Sequence, residues 1–353
     1  MKRLRSTLGI LTIALSSIVM CIHHSAAYLD NLDNIRQPTI GIVTLPLTLY
    51  MRRRHPGASG SIPSSYKKWV EQTGSRAVVI PHFASKKILR KLVGQVNGLM
   101  FIGGGVRLYY SFDDMPTRVM KKLAYIYRLG LKQNTKNGGN FPIWGTCLGF
   151  EVILSAESKF TAKFTKVNSV NVLKQIQFMD ENYRGSYFEK AFRPEVKQYL
   201  QTHASSYYHH HNGMRVKDFI ANKNLNHSFK VIAYYRKNGM RFVSAIQHRR
   251  YPIAGTQFHP EKLLFEHKKK VNVHLTQYSS MASQEMSRIL FEPTLRNMNM
   301  FDNQVVLNRY LMENFVSVRP PSCYESIFLF TKHHFNWLQY KSKHRDNKWL
   351  KSK

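Results

Sequence analysis

The chain has 353 residues, 43% of them hydrophobic, which is enough to bury a sizeable core in one large domain or two small ones and excludes a disordered chain. Lys plus Arg number 53 against 20 Asp plus Glu, a formal net charge of +33 that favours anionic partners. The densest basic runs, Arg52-Arg53-Arg54 and Lys268-Lys269-Lys270, are short and carry no recognisable nucleic-acid-binding motif, so no nucleic-acid partner is expected.

Residues 1–27 read as a secretory signal. Lys2, Arg3 and Arg5 form a positive head, Leu8 to Ile22 is apolar, and Ser25-Ala26-Ala27 offers small residues for cleavage. An uncleaved signal anchor is the competing reading. No later stretch is long and apolar enough to span a bilayer, so no stable membrane insertion is expected. Of three cysteines, Cys21 leaves with the signal, and Cys147 and Cys323 do not make a disulfide framework. Asn226-His227-Ser228 is a lone glycosylation sequon.

After a polar lead-in, Thr39–Thr44 reads as a buried strand, and residues 52–61 as a basic loop with Pro and Gly. Ser64–Thr73 reads as a helix stopped by Gly74. A strand over Ala77–Ile80 and a helix over Lys86–Val93 capped by Ser85 follow. A strand over Gly98–Ile102 runs into Gly103-Gly104-Gly105, Thr117–Leu131 is helical in pattern, Phe141–Trp144 is a strand, and Leu148 begins a helix. Continuously apolar strands alternating with helices predict a mostly parallel sheet covered on both faces. Residues 156–250 read as shorter strands and loops, and Tyr251–Phe258 as another strand. The polar segment 267–298 is expected to be a surface insertion, Asp302–Val316 a closing helix, and 321–353 a basic tail, leaving 28–320 as the catalytic domain.

Gly145-Thr146-Cys147-Leu148-Gly149 lies between a strand and a helix, the arrangement of a nucleophile held on a tight turn, with Cys in the nucleophile's place. The following helix N-terminus is expected to favour the thiolate, and the Leu148 N–H to serve as one oxyanion donor. A buried inert cysteine is the bland alternative. Gln257-Phe258-His259-Pro260-Glu261 ends a strand and supplies a His with a carboxylate two residues on, the base and orienting acid a cysteine nucleophile needs. In extended chain His259 and Glu261 point the same way, with Pro260 stiffening the link. Gly103-Gly104-Gly105 lacks the ending of a phosphate loop and fits an open turn beside Cys147, with a second oxyanion N–H at Gly104. In His209-His210-His211 adjacent histidines do not share a face, so no metal site is expected, and a single His lining a cleft is preferred. No cofactor is expected.

Taken together, Pro142-Ile143-Trp144-Gly145-Thr146-Cys147-Leu148-Gly149-Phe150-Glu151 closely resembles the nucleophile segment of the gamma-glutamyl hydrolases, in the class I glutamine amidotransferase-like superfamily. The resemblance extends to Pro38–Val43, Ser65-Tyr66, Gly74–Pro81, Asn97–Gly104 and Gln257–Lys262. It implies a flavodoxin-like three-layer α/β/α sandwich and cleavage of the γ-glutamyl amide bonds of folylpoly-γ-glutamates in vacuoles, lysosomes or the secreted fraction. It implies Cys147 as nucleophile, His259 as base, Glu261 as its acid, and His210, by its distance from Val216-Lys217, as a substrate-binding residue alongside Gly103. The usual Pro-Gly-Gly turn reads Ile102-Gly103-Gly104, and the usual Trp before the His is Phe258. A homodimer is left open. A glutaminase-type amidotransferase and an inactive basic binding protein on the same fold stand as alternatives.

Overall fold

The computed structural model describes residues 37–110, 115–136, 138–321 and 324–335. The chain divides into Met1–Pro38 and Thr39–Lys353, and every element below belongs to the second unit. The signal segment, Cys323 and the residues from 336 lie outside the described residues.

Thirteen strands are described. They are β1 (Thr39–Val43), β2 (Ala58–Pro63), β3 (Arg76–Ile80), β4 (Gly98–Phe101), β5 (Ile143–Thr146), β6 (Thr165–Lys174) and β7 (Gln177–Phe178). After these come β8 (Ser206–Gly213), β9 (Phe229–Lys237), β10 (Met240–His248), β11 (Ile253–Thr256), β12 (Ser317–Val318) and β13 (Ile327–Thr331). Eight form one sheet in the order β3-β1-β4-β5-β11-β10-β9-β7. The first five are mutually parallel, and β10, β9 and β7 continue antiparallel. Numbered among themselves, the parallel strands run 2-1-3-4-5, the flavodoxin-like order. Strands β1, β4, β5 and β11 are buried at every position, because helices on both faces remove each from water.

Residues 52–61 are not a loop but hold the end of helix Leu49–Arg54 and most of β2, while the other local elements of the first half form close to their anticipated bounds. Helix Ser64–Glu71 ends before Gly74 at φ +89°, and Ser85 accepts from the Ile88 N–H at 3.3 Å to cap helix Lys86–Val93. Helices Arg118–Lys136 and Leu148–Glu157 flank β5 in sequence.

Four longer segments are corrected. The segment 267–298 is not a surface insertion. It contains helix Gln277–Phe291, started by a capping box between Thr276 and Ser279, with Ala282, Met286, Ile289 and Leu290 in the core. Its Ser, Gln and Glu content hid a helix whose small residues pack closely. The 321–353 tail is not all tail: β13 pairs with β2, and Phe328 and Phe330 are buried. The single helix expected over Asp302–Val316 is broken into Gln304–Asn308 and a short 3-10 turn Met312–Asn314, and the Val79 N–H donates to the Tyr310 carbonyl at 2.8 Å. Residues 156–250 hold two long antiparallel pairs, β6–β8 and β9–β10, not short strands. Among the described residues no helix is long and apolar enough to cross a membrane.

Candidate active site

The site forms where parallel strands end. Strands β5 and β11 are paired in register through Thr146 and Thr256, so Cys147 leaves one strand beside the segment that carries His259. The Cys147 N–H donates to the Thr256 carbonyl at 2.8 Å and ties the two segments together. Cys147 has φ +52°, a left-handed conformation that costs a non-glycine residue of order 1 kcal/mol or more and persists because its surroundings hold it. The flanking glycines allow the turn. A Cβ on Gly149 would lie 2.0 Å from the Phe101 carbonyl oxygen, and one on Gly145 would lie 2.7 Å from the Gly149 oxygen.

His259 is in extended conformation, and its Nδ1 lies 2.7 Å from Glu261 Oε1. The link differs from the extended one expected. Pro260 starts helix Pro260–Phe265, so Glu261 is in a first helical turn and still reaches the ring. With Nδ1–H donating to Glu261, Nε2 carries the ring's lone pair. The Ser283 hydroxyl donates to the Pro260 carbonyl at 2.7 Å, and the Trp69 indole N–H donates to the Ser283 carbonyl at 3.1 Å. Helix Gln277–Phe291 thus braces the histidine segment.

Gly103 is the meeting point. A Cβ there would lie 2.7 Å from His259 Cε1, 2.7 Å from the Tyr66 hydroxyl and 3.2 Å from Cys147 Cβ, so only a glycine lets the three side chains converge. The Gly103 N–H is already engaged, donating to the Tyr66 hydroxyl at 2.8 Å. That hydroxyl is also 3.4 Å from His259 Nδ1. Gly104 packs against Leu45 and Leu148. The Leu148 N–H faces the Cys147 sulfur and favours its charged form.

The helix end favours the thiolate as expected, and burial works against it. Burial pushes the Cys147 thiol far above its ordinary value, and the Glu151 and Glu261 carboxyls push it further. The Leu148 N–H and the Lys262 ammonium oppose this without prevailing. Desolvation of a fully buried anion exceeds the half-charge of one helix end. The sulfur lies 3.7 Å from the His209 carbonyl, the acceptor for its S–H. His259 is lowered, chiefly by burial and against the pull of Glu261. Glu151, in the first turn after the nucleophile, is pushed up to about 8 by burial, while Gln257 Nε2 donates to it at 3.2 Å.

Of the histidine triplet on β8, the strand alternation turns His210 inward and leaves His209 and His211 exposed. His210 Nδ1 lies 2.5 Å from the Asn212 carbonyl, burial lowers the ring to about 3, and its buried Nε2 has no hydrogen-bond partner. Among the described residues no group of His, Cys, Asp and Glu could hold a metal ion.

Sequence reasoning assigned no role to Tyr66, Glu151 or Lys262, although each lies in a segment that carries the resemblance. Tyr66 is a helical aromatic with nothing in its spacing to mark it. Lys262 is almost wholly buried with its ammonium 4.4 Å from the Tyr324 ring centre, a burial no sequence pattern announces.

The family model described as Peptidase C26 matches residues 38–261, a span that includes Cys147, His259 and Glu261. Gamma-glutamyl hydrolase 1 of Arabidopsis thaliana is 29% identical over 308 residues, covering 84% of this chain and 83% of its own. Gamma-glutamyl hydrolase B of Dictyostelium discoideum is 29% identical over 281 residues, 79% of this chain and 78% of its own. The gamma-glutamyl hydrolase of Mus musculus is 30% identical over 247 residues, 69% of this chain and 74% of its own.

Proposed function

Because the chain belongs to the Peptidase C26 family, we propose that it hydrolyses γ-glutamyl amide bonds of folylpoly-γ-glutamates through Cys147, His259 and Glu261. The observation that carries this reading is the convergence at Gly103 of a strained turn cysteine and a histidine paired with a buried carboxylate at 2.7 Å.

Starting from thiol and neutral imidazole, the Cys147 proton passes to His259 Nε2 as the sulfur adds to the γ-carbonyl carbon. Glu261 stabilises the imidazolium that forms. The oxyanion takes hydrogen bonds from the N–H groups of Leu148 and Gly104. Gly103 contributes space instead of a donor, since its N–H is held by Tyr66. His259 then gives its proton to the departing amine nitrogen as the C–N bond breaks, leaving a thioester on Cys147. Water, deprotonated by His259, cleaves the thioester and restores the thiol. The positive head and apolar stretch of residues 2–22 support delivery through the secretory pathway.

The test is chromatography of products from a folylpoly-γ-glutamate with wild type and Cys147→Ala. Shortened chains are expected from wild type and none above background from the variant. Equal turnover by both would overturn the nucleophile, and ammonia release from free glutamine in place of chain shortening would favour an amidotransferase glutaminase.

Tyr66→Phe keeps the buried ring and removes the hydroxyl that accepts from Gly103 and lies beside His259. An unpaired buried N–H costs about 1–3 kcal/mol, and here it also frees the turn that spaces nucleophile and base. The expected result is a fall in kcat of about tenfold with a retained fold, measured by steady-state kinetics and circular dichroism. Unchanged kcat would show that the hydroxyl plays no part in positioning the turn.

A further inference from the structure

The basic run Arg52-Arg53-Arg54 is not used by the chemistry above. It stands in helix Leu49–Arg54, which follows β1, and Arg52 is exposed. The helix is fixed from below by Met51, buried in a small cluster with Leu47 and Ile327 of β13. Facing it are residues 105–107, after β4, and 117–119, at the start of the next helix. The Thr117 N–H donates to the Leu108 carbonyl at 2.9 Å and its hydroxyl donates to the Arg107 carbonyl at 3.2 Å, which brings Arg107 and Arg118 to one wall. Between the walls is an open groove of about 350 Å³, lined by Arg52, Arg107 and Arg118 together with Leu49, Gly105 and Val106.

Its position follows from topology. Strands β1 and β4 are the neighbours from which the parallel sheet is wound in opposite directions, the point where a crevice opens at the carboxyl ends of such sheets. Strand β5, which delivers Cys147, lies beside β4. The groove and Cys147 therefore stand at the same carboxyl end of neighbouring strands. The turn Gly103–Gly105 joins the two places: Gly103 packs against Cys147 and His259, and Gly105 lines the groove.

We propose that this groove binds the polyanionic γ-glutamyl tail of the substrate, carboxylates on Arg52 and Arg118 and side-chain methylenes on Leu49 and Val106. The proposal rests on the γ-glutamyl reading above and adds to it the residues that select for chain length. Each γ-linked unit carries a free α-carboxylate and two methylenes. A wall of guanidinium groups interspersed with aliphatic side chains matches that repeat, whereas a ligand with a single charge would use only one arginine. The same chemistry gives three of the chain's basic residues a local purpose at the carboxyl end of the sheet.

The experiment compares wild type with the double variant Arg52→Gln/Arg118→Gln on p-aminobenzoyl γ-diglutamate and γ-hexaglutamate. Both arginines are exposed and outside the catalytic machinery, so fold and turnover of the diglutamate are expected to be unchanged. For the hexaglutamate, KM is expected to rise about tenfold with kcat unchanged, the size two solvent-exposed charge contacts allow. Added salt should raise the wild-type KM for the hexaglutamate and affect the variant less. In a Cys147→Ala background, the hexaglutamate Kd is expected to weaken by the same factor when both arginines are replaced, a measurement independent of turnover. An unchanged hexaglutamate KM and Kd, or equal losses on both substrates, would overturn the groove. Failure of wild type to cleave either substrate would instead overturn the hydrolase reading, with the binding measurement still deciding the groove.

Discussion

His259→Asn is expected to lower kcat by about a thousandfold or more, the upper part of the range for a lost acid–base group, with a smaller change in KM. The reason is specific to this site. Burial pushes the Cys147 thiol above its ordinary range, so attack draws on a base that takes its proton. Asn offers no proton acceptor of comparable basicity. A variant retaining a tenth of wild-type kcat, with normal circular dichroism, would show that the base lies elsewhere. Glu261→Gln gives the companion measurement. His259 must be neutral to accept the thiol proton, so activity falls as pH drops through its pKa, which burial holds below 6.5. The Glu261 charge is the largest influence raising that pKa. Removing it leaves burial less opposed, so the acid limb of the profile is expected to move to lower pH. The plateau also falls, because nothing then stabilises the imidazolium. A limb that moves to higher pH would contradict the pairing seen at 2.7 Å.

Gly149→Ala is the second large effect, and it acts on folding. The added Cβ would meet the Phe101 carbonyl oxygen at 2.0 Å and the carbonyl carbon at 2.4 Å. Both are backbone atoms of the central β4 strand, so no side chain can rotate away. Relief requires helix Leu148–Glu157 to separate from the sheet, at a cost of about 3–5 kcal/mol, in the range reached only by severe core disruption. Against a total stability of about 5–15 kcal/mol, the expected outcome is a large fall in denaturation midpoint or insoluble protein. Gly105→Ala is the control, since a Cβ there meets nothing within 4 Å. Chemical denaturation of the two side by side checks the claim, and similar midpoints would refute it.

The two effects separate the roles of the turn. Gly149 allows the helix to approach the sheet, and this places the Leu148 N–H against the sulfur. The strain at Cys147 persists because the helix, β5 and the Thr256 carbonyl hold it from three sides. Packing thus holds the geometry, and the His259–Glu261 pair makes use of it.

By itself the sequence determined whatever depends on near neighbours in the chain. Continuous apolar runs marked β1, β3, β4 and β5, because strands buried on both faces need no alternation. Gly145 and Gly149 marked the turn, since a tight strand-to-helix crossing excludes a Cβ at those places, and the His259-Pro260-Glu261 spacing brought base and carboxylate together. Only the tertiary structure decided what depends on which distant segments meet. Tyr66 enters the site because helix Ser64–Glu71 packs under Gly103, 37 residues away. The polar segment 267–298 proved to be a brace because Ser283 finds partners at both Trp69 and Pro260. The burial that opposes the helix end at Cys147 was not legible locally, because desolvation is set by the assembled surroundings. Arg52 and Arg118, 66 positions apart, form one groove because β1 and β4 lie side by side where the sheet changes winding direction.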